Sequence, residues 1–317
     1  MSTFEPMLVR DRNRFHFRIT DVELREAYVN ALAKFWTPAE VQPSADKSQW
    51  DALNPDVQAF LALTLAFFAS SDGVVFENCA MNFGDEVTIP EARFFYSLQG
   101  FMENVHSETY MKILTTYVTD DVEQDRLIHS IQTVPVIAAK ANWTMRHFDQ
   151  SIPFARRLVA FACVEGIFFS SAFASIFWFK HHFPGQLHAL TFSNQLIARD
   201  EGLHVEFAVL LFHRLQKKPT FDEVRAIIEE AVKLESDFVE EALKVDLIGI
   251  KSDDMIAYIQ FVADRLMQQL GFESIYAAKN PFQFMELQSM RIQQNFFEGK
   301  VADYSATDGA FSETAAF

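Results

Sequence analysis

The sequence predicts an all-α protein, one helical bundle followed by a short tail. Three observations carry this expectation. Gly and Pro number only 10 each in 317 residues, too few for a turn-rich all-β protein. Half of the residues are hydrophobic, which excludes disorder and supplies a large core. Apolar residues also recur at helical spacing over long stretches between the few breakers.

The elements follow in order. Residues 1–19 read as irregular. A helix starts at Thr20-Asp21 and runs towards Phe35, with Thr20 and Glu23 at capping-box spacing. Trp36 to Pro43 reads as a loop, with Pro38 and Pro43 as breakers. The next helix covers residues 54–82, with Pro55 near its start and Gly73 inside. After the polar break Gly84-Asp85-Glu86, Pro90 opens a helix that reaches Val118. Asp120, Asp121 and Glu123 give an acidic start to a helix over 121–150. Two more run from Pro153 to His182, ended by Pro184-Gly185, and from Gln186 to Gln216. Residues 220–244 and 253–277 give two amphipathic helices, with Thr220/Glu223 and Ser252 before Asp253-Asp254 as capping candidates. From Gly299 onward Leu, Ile and Val thin out and Ala, Ser, Thr and Asp take over. The expected division is therefore a helical domain over 1–298 and a flexible tail over 299–317.

Charge and cysteine usage narrow the function classes. The protein has 43 acidic and 27 basic side chains, a formal charge of −16, and no Lys/Arg block, which argues against binding a nucleic-acid backbone. Cys79 and Cys163 lie in apolar helical patterns and read as reduced core thiols. The first 20 residues carry acids and several Arg rather than a secretory apolar run. The longest apolar segment, Leu158 to Phe179, is interrupted by Glu165. The expectation is a soluble, cytoplasmic protein with no membrane and no nucleic-acid partner.

Two Glu-x-x-His words stand out: Glu103-Asn104-Val105-His106 and Glu201-Gly202-Leu203-His204. Positions i and i+3 share a helix face, so each word can offer an oxygen and a nitrogen to one ion. Chance supplies roughly 0.7 such words at this length and composition, so one alone says little. A four-helix dinuclear centre needs one more carboxylate from each of two other helices. Asp72, in Ala69-Ser70-Ser71-Asp72-Gly73, and Glu165, in Cys163-Val164-Glu165-Gly166-Ile167, are lone acids in strongly apolar helical stretches. A buried, unpaired carboxylate is costly and calls for a cation or a proton. Taken singly, each acid is equally compatible with an ion pair or a cap. Taken together, Asp72, Glu103, His106, Glu165, Glu201 and His204 fit one template in order. Oxygen-rich ligation with one His per metal suits iron or manganese rather than a thiolate zinc site.

Tyr110 lies four residues after His106 and seven after Glu103, on the same helix face. Tyr at helical spacing is commonly core packing. Beside a metal–oxygen oxidant it is also a donor of one electron and one proton, and a dry shell would protect the resulting radical.

Longer stretches make the sequence recognisable: Phe67-Phe68-Ala69-Ser70-Ser71-Asp72-Gly73, Met102-Glu103-Asn104-Val105-His106-Ser107-Glu108, Val164-Glu165-Gly166-Ile167-Phe168-Phe169-Ser170 and Arg199-Asp200-Glu201-Gly202-Leu203-His204. With Pro90-Glu91-Ala92-Arg93, they resemble the small, radical-generating subunit of class I ribonucleotide reductase. The wording is closer to the eukaryotic and DNA-virus branch than to the bacterial manganese-using one. The resemblance runs from about residue 20 to the C-terminus and implies a ferritin-like bundle. It assigns the first metal to Asp72, Glu103 and His106 and the second to Glu165, Glu201 and His204. It makes Tyr110 the radical tyrosine and Phe169, Phe173 and Ile197 its apolar pocket. Trp36 matches the radical-transfer tryptophan, Asp200 the acid linking it to His106, and Tyr304 the tail tyrosine that passes the radical on. Without the resemblance, Trp36 could not be chosen over Trp50 or Trp178.

The implied function is activation of dioxygen at two iron ions, with manganese as second choice, to oxidise Tyr110. The radical would then pass through Trp36 and Tyr304 to a large subunit that makes deoxyribonucleotides for DNA replication. The resemblance also implies a homodimer, and a tail whose Phe311 and Phe317 dock apolar anchors on the large subunit. The tail ends Glu313-Thr314-Ala315-Ala316-Phe317, without the acid that often precedes the last Phe in the family. The early start of the first helix fits a viral or short-form member. An independent di-iron oxidase and an iron-storage bundle are the competing readings. Metal stoichiometry and large-subunit binding separate them. The pairs Phe67-Phe68 and Phe168-Phe169, with Phe173, would be part of a dry wall built from the 34 Phe.

Overall fold

Asp21 starts the first helix, α1 (Val22–Leu32), its carboxylate accepting from the Leu24 N–H at 3.0 Å. The expected cap, Thr20, is engaged elsewhere: its backbone N–H and its hydroxyl both donate to Glu91. Both residue types cap well, and the distant carboxylate decides between them. The computed structural model describes residues 5–8, 18–78 and 82–285. The protein divides into a unit Met1–Pro281 and a second, Phe282–Phe317. The boundary expected at 298/299, together with Cys79, Tyr304, Phe311 and Phe317, lies outside the described residues.

The loop expected after Trp36 contains two 3-10 turns, Pro38–Glu40 and Pro43–Asp46, each opened by proline, and then the short α2 (Lys47–Asp51). α3 (Pro55–Asn78), α4 (Gly84–Glu86) and α5 (Pro90–Tyr117) follow, the two long helices carrying proline in their first turn. The single helix expected over 121–150 is instead three: α6 (Asp121–Ile128), α7 (Ser130–Thr133) and α8 (Pro135–His147). Pro135 has no N–H to continue the ladder, and it pushes Val134 to φ −96°, ψ 112°.

α9 (Phe154–Cys163) and α10 (Ser170–His182) cover the helix expected over 153–182, but a π-helical turn, Val164–Phe168, joins them. Such turns are rare and concentrate at functional sites; this one carries Glu165. α11 (His188–Arg214) is the last helix of the expected four. α12 (Phe221–Phe238) starts with the expected Thr220–Glu223 capping box and runs into a second π turn, Val239–Leu243. α13 (Ser252–Gln269) begins after Lys251 with no side-chain cap, so Ser252 is inside the helix rather than its cap. It stops at Gln269 rather than 277 because Gly271 takes φ 87°. The Asp264 carboxylate then accepts from the N–H groups of Ile275, Tyr276 and Ala278 at 2.8–2.9 Å, which satisfies the non-helical backbone there.

α3 packs along α5, α9 and α10 pack on α11, and α5 meets α11. α12 and α13 cover the π turn, and α8 covers α9. The interior is strongly aromatic, with Phe67, Phe68, Phe95, Phe161, Phe169 and Phe207 fully buried. By length and composition Phe154–His182 could cross a membrane, but 94% of its most apolar window lies inside the protein, which makes it a core segment. Among the described residues there is no strand, as the composition led one to expect.

Candidate metal centre

Four elements aim acids and imidazoles at one point between them. α3 supplies Asp72, α5 supplies Glu103 and His106, the π turn supplies Glu165, and α11 supplies Glu201 and His204. The i, i+3 spacing puts each Glu and its His on one helix face. None of the six is more than 3% exposed. Ligand atoms of Asp72, Glu103 and His106 lie within 4.8 Å of one another, and so do those of Glu103, Glu165, Glu201 and His204. Glu103 thus belongs to both groups, whereas the sequence expectation assigned it to the first alone. His204 Nδ1 is 3.0 Å from Glu201, 3.3 Å from Glu103 and 3.7 Å from Glu165. His106 Nδ1 is 3.1 Å from Glu201 and 3.3 Å from Glu103.

Several buried polar atoms in this cluster have no well-directed hydrogen bond, only close contacts with one another: Asp72 Oδ2, both Glu103 oxygens, His106 Nδ1, Glu165 Oε2 and Glu201 Oε1. Buried polar atoms are almost always well paired, so a convergent set of poorly paired carboxylate oxygens calls for cations. The donor set of four carboxylates and two imidazoles fits a pair of hard-to-borderline metal ions. Cys163, two residues before Glu165, is buried, and burial alone pushes its thiol up, leaving it an inert core residue.

Protons respond to the same crowding. Burial first, then the Glu103 charge, pushes Asp72 well above the usual carboxylate range. Burial and the Glu201 charge do the same to Glu165 and raise Glu103. Glu201 goes the other way: burial opposes its ionisation, but hydrogen bonding to Glu165 and the nearby imidazoles hold it down. Burial works against protonating His106 and His204, yet their carboxylate partners win and both are raised. The sign for stability follows. Three carboxylates and two imidazoles with raised values stabilise the metal-free fold at low pH and lose that contribution as pH climbs through them. Glu201 and Asp200, both lowered, lose their contribution only as pH falls below about 5. The Tm of metal-free protein is therefore expected to fall between about pH 5 and 8. A calorimetric pH series that rises over that window would contradict the assignment.

Tyr110 lies on α5, fully buried, and its hydroxyl has no hydrogen-bond partner. Burial, followed by the Asp72 charge, pushes its phenol well above the usual value, so it stays protonated. Its ring stacks on Phe68 at 4.6 Å and 5°. Phe68 in turn meets Phe173 at 4.8 Å and Phe169 at 5.7 Å. Ile197 is buried on α11. Phe68 is thus the ring directly against the phenol, a position the sequence marked only as part of a general aromatic wall.

Trp36 follows α1 and is 2% exposed. Its Nε1 donates to Asp200 Oδ2 at 2.7 Å, and His106 Nε2 lies 3.2 Å from the same oxygen. The indole also stacks on the His106 imidazole at 6.0 Å and 18°. Trp50 and Trp178 are engaged with Tyr117 and His182 instead. Two neighbours escaped sequence reading. Arg199 grips Asp200 Oδ1 through Nε and Nη2 at 3.1 and 2.9 Å and donates to the Lys34 carbonyl. With His106, it holds Asp200 below the usual carboxylate range despite burial. Gln99 donates to Glu165 Oε1 at 2.9 Å; its position four residues before Glu103 was the available signal.

Comparisons with known proteins agree on one family. A family model described as "Ribonucleotide reductase, small chain" matches residues 14–281. A ribonucleoside-diphosphate reductase small chain of Arabidopsis thaliana is 50% identical over 301 residues, which cover 95% of this protein and 88% of that one. The small chain of Vaccinia virus (strain Western Reserve) is 48% identical over 301 residues, covering 95% and 94%. The solved Rnr4 homodimer of Saccharomyces cerevisiae superposes with a TM-score of 0.81 at 34% identity, covering 95% and 93%.

Proposed function

The protein belongs to the ribonucleotide reductase small-chain family, and we propose that it is the subunit that generates and delivers the radical for ribonucleoside-diphosphate reduction. It is an oxidoreductase subunit with the ferritin-like helical fold of that family. The observation that supports the radical reading most is the buried six-residue cluster, two of whose members, Glu103 and His106, share α5 with the fully buried Tyr110.

In this reading Asp72, Glu103 and His106 would hold one iron, and Glu165, Glu201 and His204 would hold the other. Manganese is the second choice of metal. The bound metals supply dioxygen activation and a one-electron oxidant. The protein's own groups do the rest. Tyr110 is the phenol that gives up an electron and its proton. Phe68, Phe169, Phe173 and Ile197 keep water and reductants away from the phenoxyl radical. Asp200 fixes His106 from outside, as outer carboxylates commonly orient metal-bound imidazoles. The same oxygen accepts from the indole N–H, so it is placed to take the Nε1 proton when Trp36 is oxidised. Tyr304 continues the transfer to a large subunit, which Phe311 and Phe317 help to hold, and the working form is a homodimer in the cytoplasm.

Trp36→Phe and Tyr304→Phe test the delivery half of the proposal. Each variant is expected to show a tyrosyl signal of wild-type size under electron paramagnetic resonance, while turnover with the large subunit drops to background. Wild-type turnover in either variant would remove that residue from the path. Metal binding should also reverse the pH trend of the metal-free protein, because bound cations favour the ionised ligands. At free metal a thousand times Kd, the stability gain is about 4 kcal/mol, a Tm rise of roughly 7 °C.

A further inference from the structure

The π turn that carries Glu165 is gripped from outside by a buried ion pair. Lys140 lies on α8 and Glu235 on α12, helices that contribute none of the six cluster residues. They are 3% and 0% exposed, and Lys140 Nζ meets Glu235 Oε2 at 2.5 Å. Lys140 Nζ also donates to the carbonyl of Phe168, the last residue of the π turn, at 2.8 Å. Glu235 Oε1 accepts from the Ser171 N–H at 3.3 Å and from the Ser171 hydroxyl. The pair therefore closes a ring from Phe168 through Lys140 and Glu235 to Ser171, spanning the point where the π turn passes into α10. The ammonium rests 4.0 Å from the centre of the Phe67 ring and 4.1 Å from that of Phe238.

Stability alone is a poor reason for such a pair. Removing two charges from water costs several kcal/mol per ion, and well-packed apolar replacements are commonly neutral or better. Burial pushes Lys140 down to about 8 and Glu235 up, so desolvation outweighs pairing on both sides. What an apolar pair cannot do is bond to Phe168 and Ser171. A π turn carries an extra residue and changes the direction in which its side chains leave the helix. Glu165 sits on that turn, with Oε1 on Gln99 and Oε2 bare.

We propose that the Lys140–Glu235 ion pair is a positioning clamp that fixes the π turn and so aims Glu165 into the metal site. This rests on the reading of Glu165 as a metal ligand. Lys140 and Glu235 are positioning residues; neither belongs to the ligand cluster itself.

The test is an anaerobic iron(II) titration of the full-length protein, following both binding phases, beside a thermal melt. Lys140→Met combined with Glu235→Met replaces the pair by apolar side chains of similar volume. It is expected to melt near the wild-type temperature, keep the first binding phase, and weaken the second about 10-fold, the lower end of what loss of outer-shell support costs. Glu165→Gln, run alongside, separates the two ideas. If it weakens the second phase while the folded double variant binds as wild type, the clamp is wrong and the ligand reading stands. If Glu165→Gln itself binds both irons as wild type, the ligand reading fails and the clamp fails with it. Should the double variant not fold, Ser171→Ala decides, since it removes only the hydroxyl that Glu235 holds. Weakening of the second phase supports the clamp, and unchanged affinity overturns it.

Discussion

Tyr110→Phe is expected to abolish the tyrosyl radical and reduce turnover with the large subunit to background, while leaving metal binding intact. The substitution deletes one oxygen from a side chain whose hydroxyl has no hydrogen-bond partner, so no donor or acceptor is orphaned. The ring remains stacked on Phe68, and the packing cost is small. Stability should therefore change by less than about 1 kcal/mol, within a few degrees of Tm. The combination of unchanged metal content, unchanged melting and complete loss of the radical is specific. A radical signal that persists in this variant would move the oxidised residue elsewhere.

Glu103→Gln is expected to act with opposite signs on the metal-free and metal-loaded protein. Glu103 lies in both groups that could hold a metal ion, so replacing its charge with a neutral amide should weaken loading at both positions. A loss of more than about 100-fold is expected, beyond the upper end for an outer-shell partner. Without metal, the same charge is a burden. Burial and the Glu201 charge both raise its pKa, and its presence raises those of Asp72 and Glu165. Removing it should raise the metal-free Tm by roughly 2 °C, the shift that about 1 kcal/mol produces in a domain of this size. Functional sites commonly carry such a stability cost. A variant that melts lower without metal and binds metal normally would mean that Glu103 is an ordinary structural carboxylate.

Much of the site was legible because charge in an apolar pattern is conspicuous. Asp72 and Glu165 stand alone in hydrophobic helical stretches, and the two Glu-x-x-His words carry their own geometry. Their convergence followed from a four-helix template, and the structure brings all six together. Other features depend on tertiary contact. Asp200 is 164 residues from Trp36, and no spacing rule relates them; only the family resemblance singled out that tryptophan. The double membership of Glu103 depends on how α5 sits between α3 and α11, which periodicity cannot encode. The π turn at Glu165 differs from an α-helix by one residue per turn, and Val164 to Phe168 has no composition that announces it. Pro135 breaks the helix expected over 121–150, and Gly271 ends α13 short of 277. Those breaks lie away from the six clustered residues, whose spacing depends on the interiors of the long helices rather than on their ends.

The most direct measurement of the central claim is metal analysis combined with electron paramagnetic resonance after aerobic reconstitution of the metal-free protein with iron(II). The account predicts about two irons per polypeptide and a tyrosyl radical that is absent from Tyr110→Phe. A single iron per polypeptide, or two irons with no tyrosyl radical under any loading condition, would contradict it.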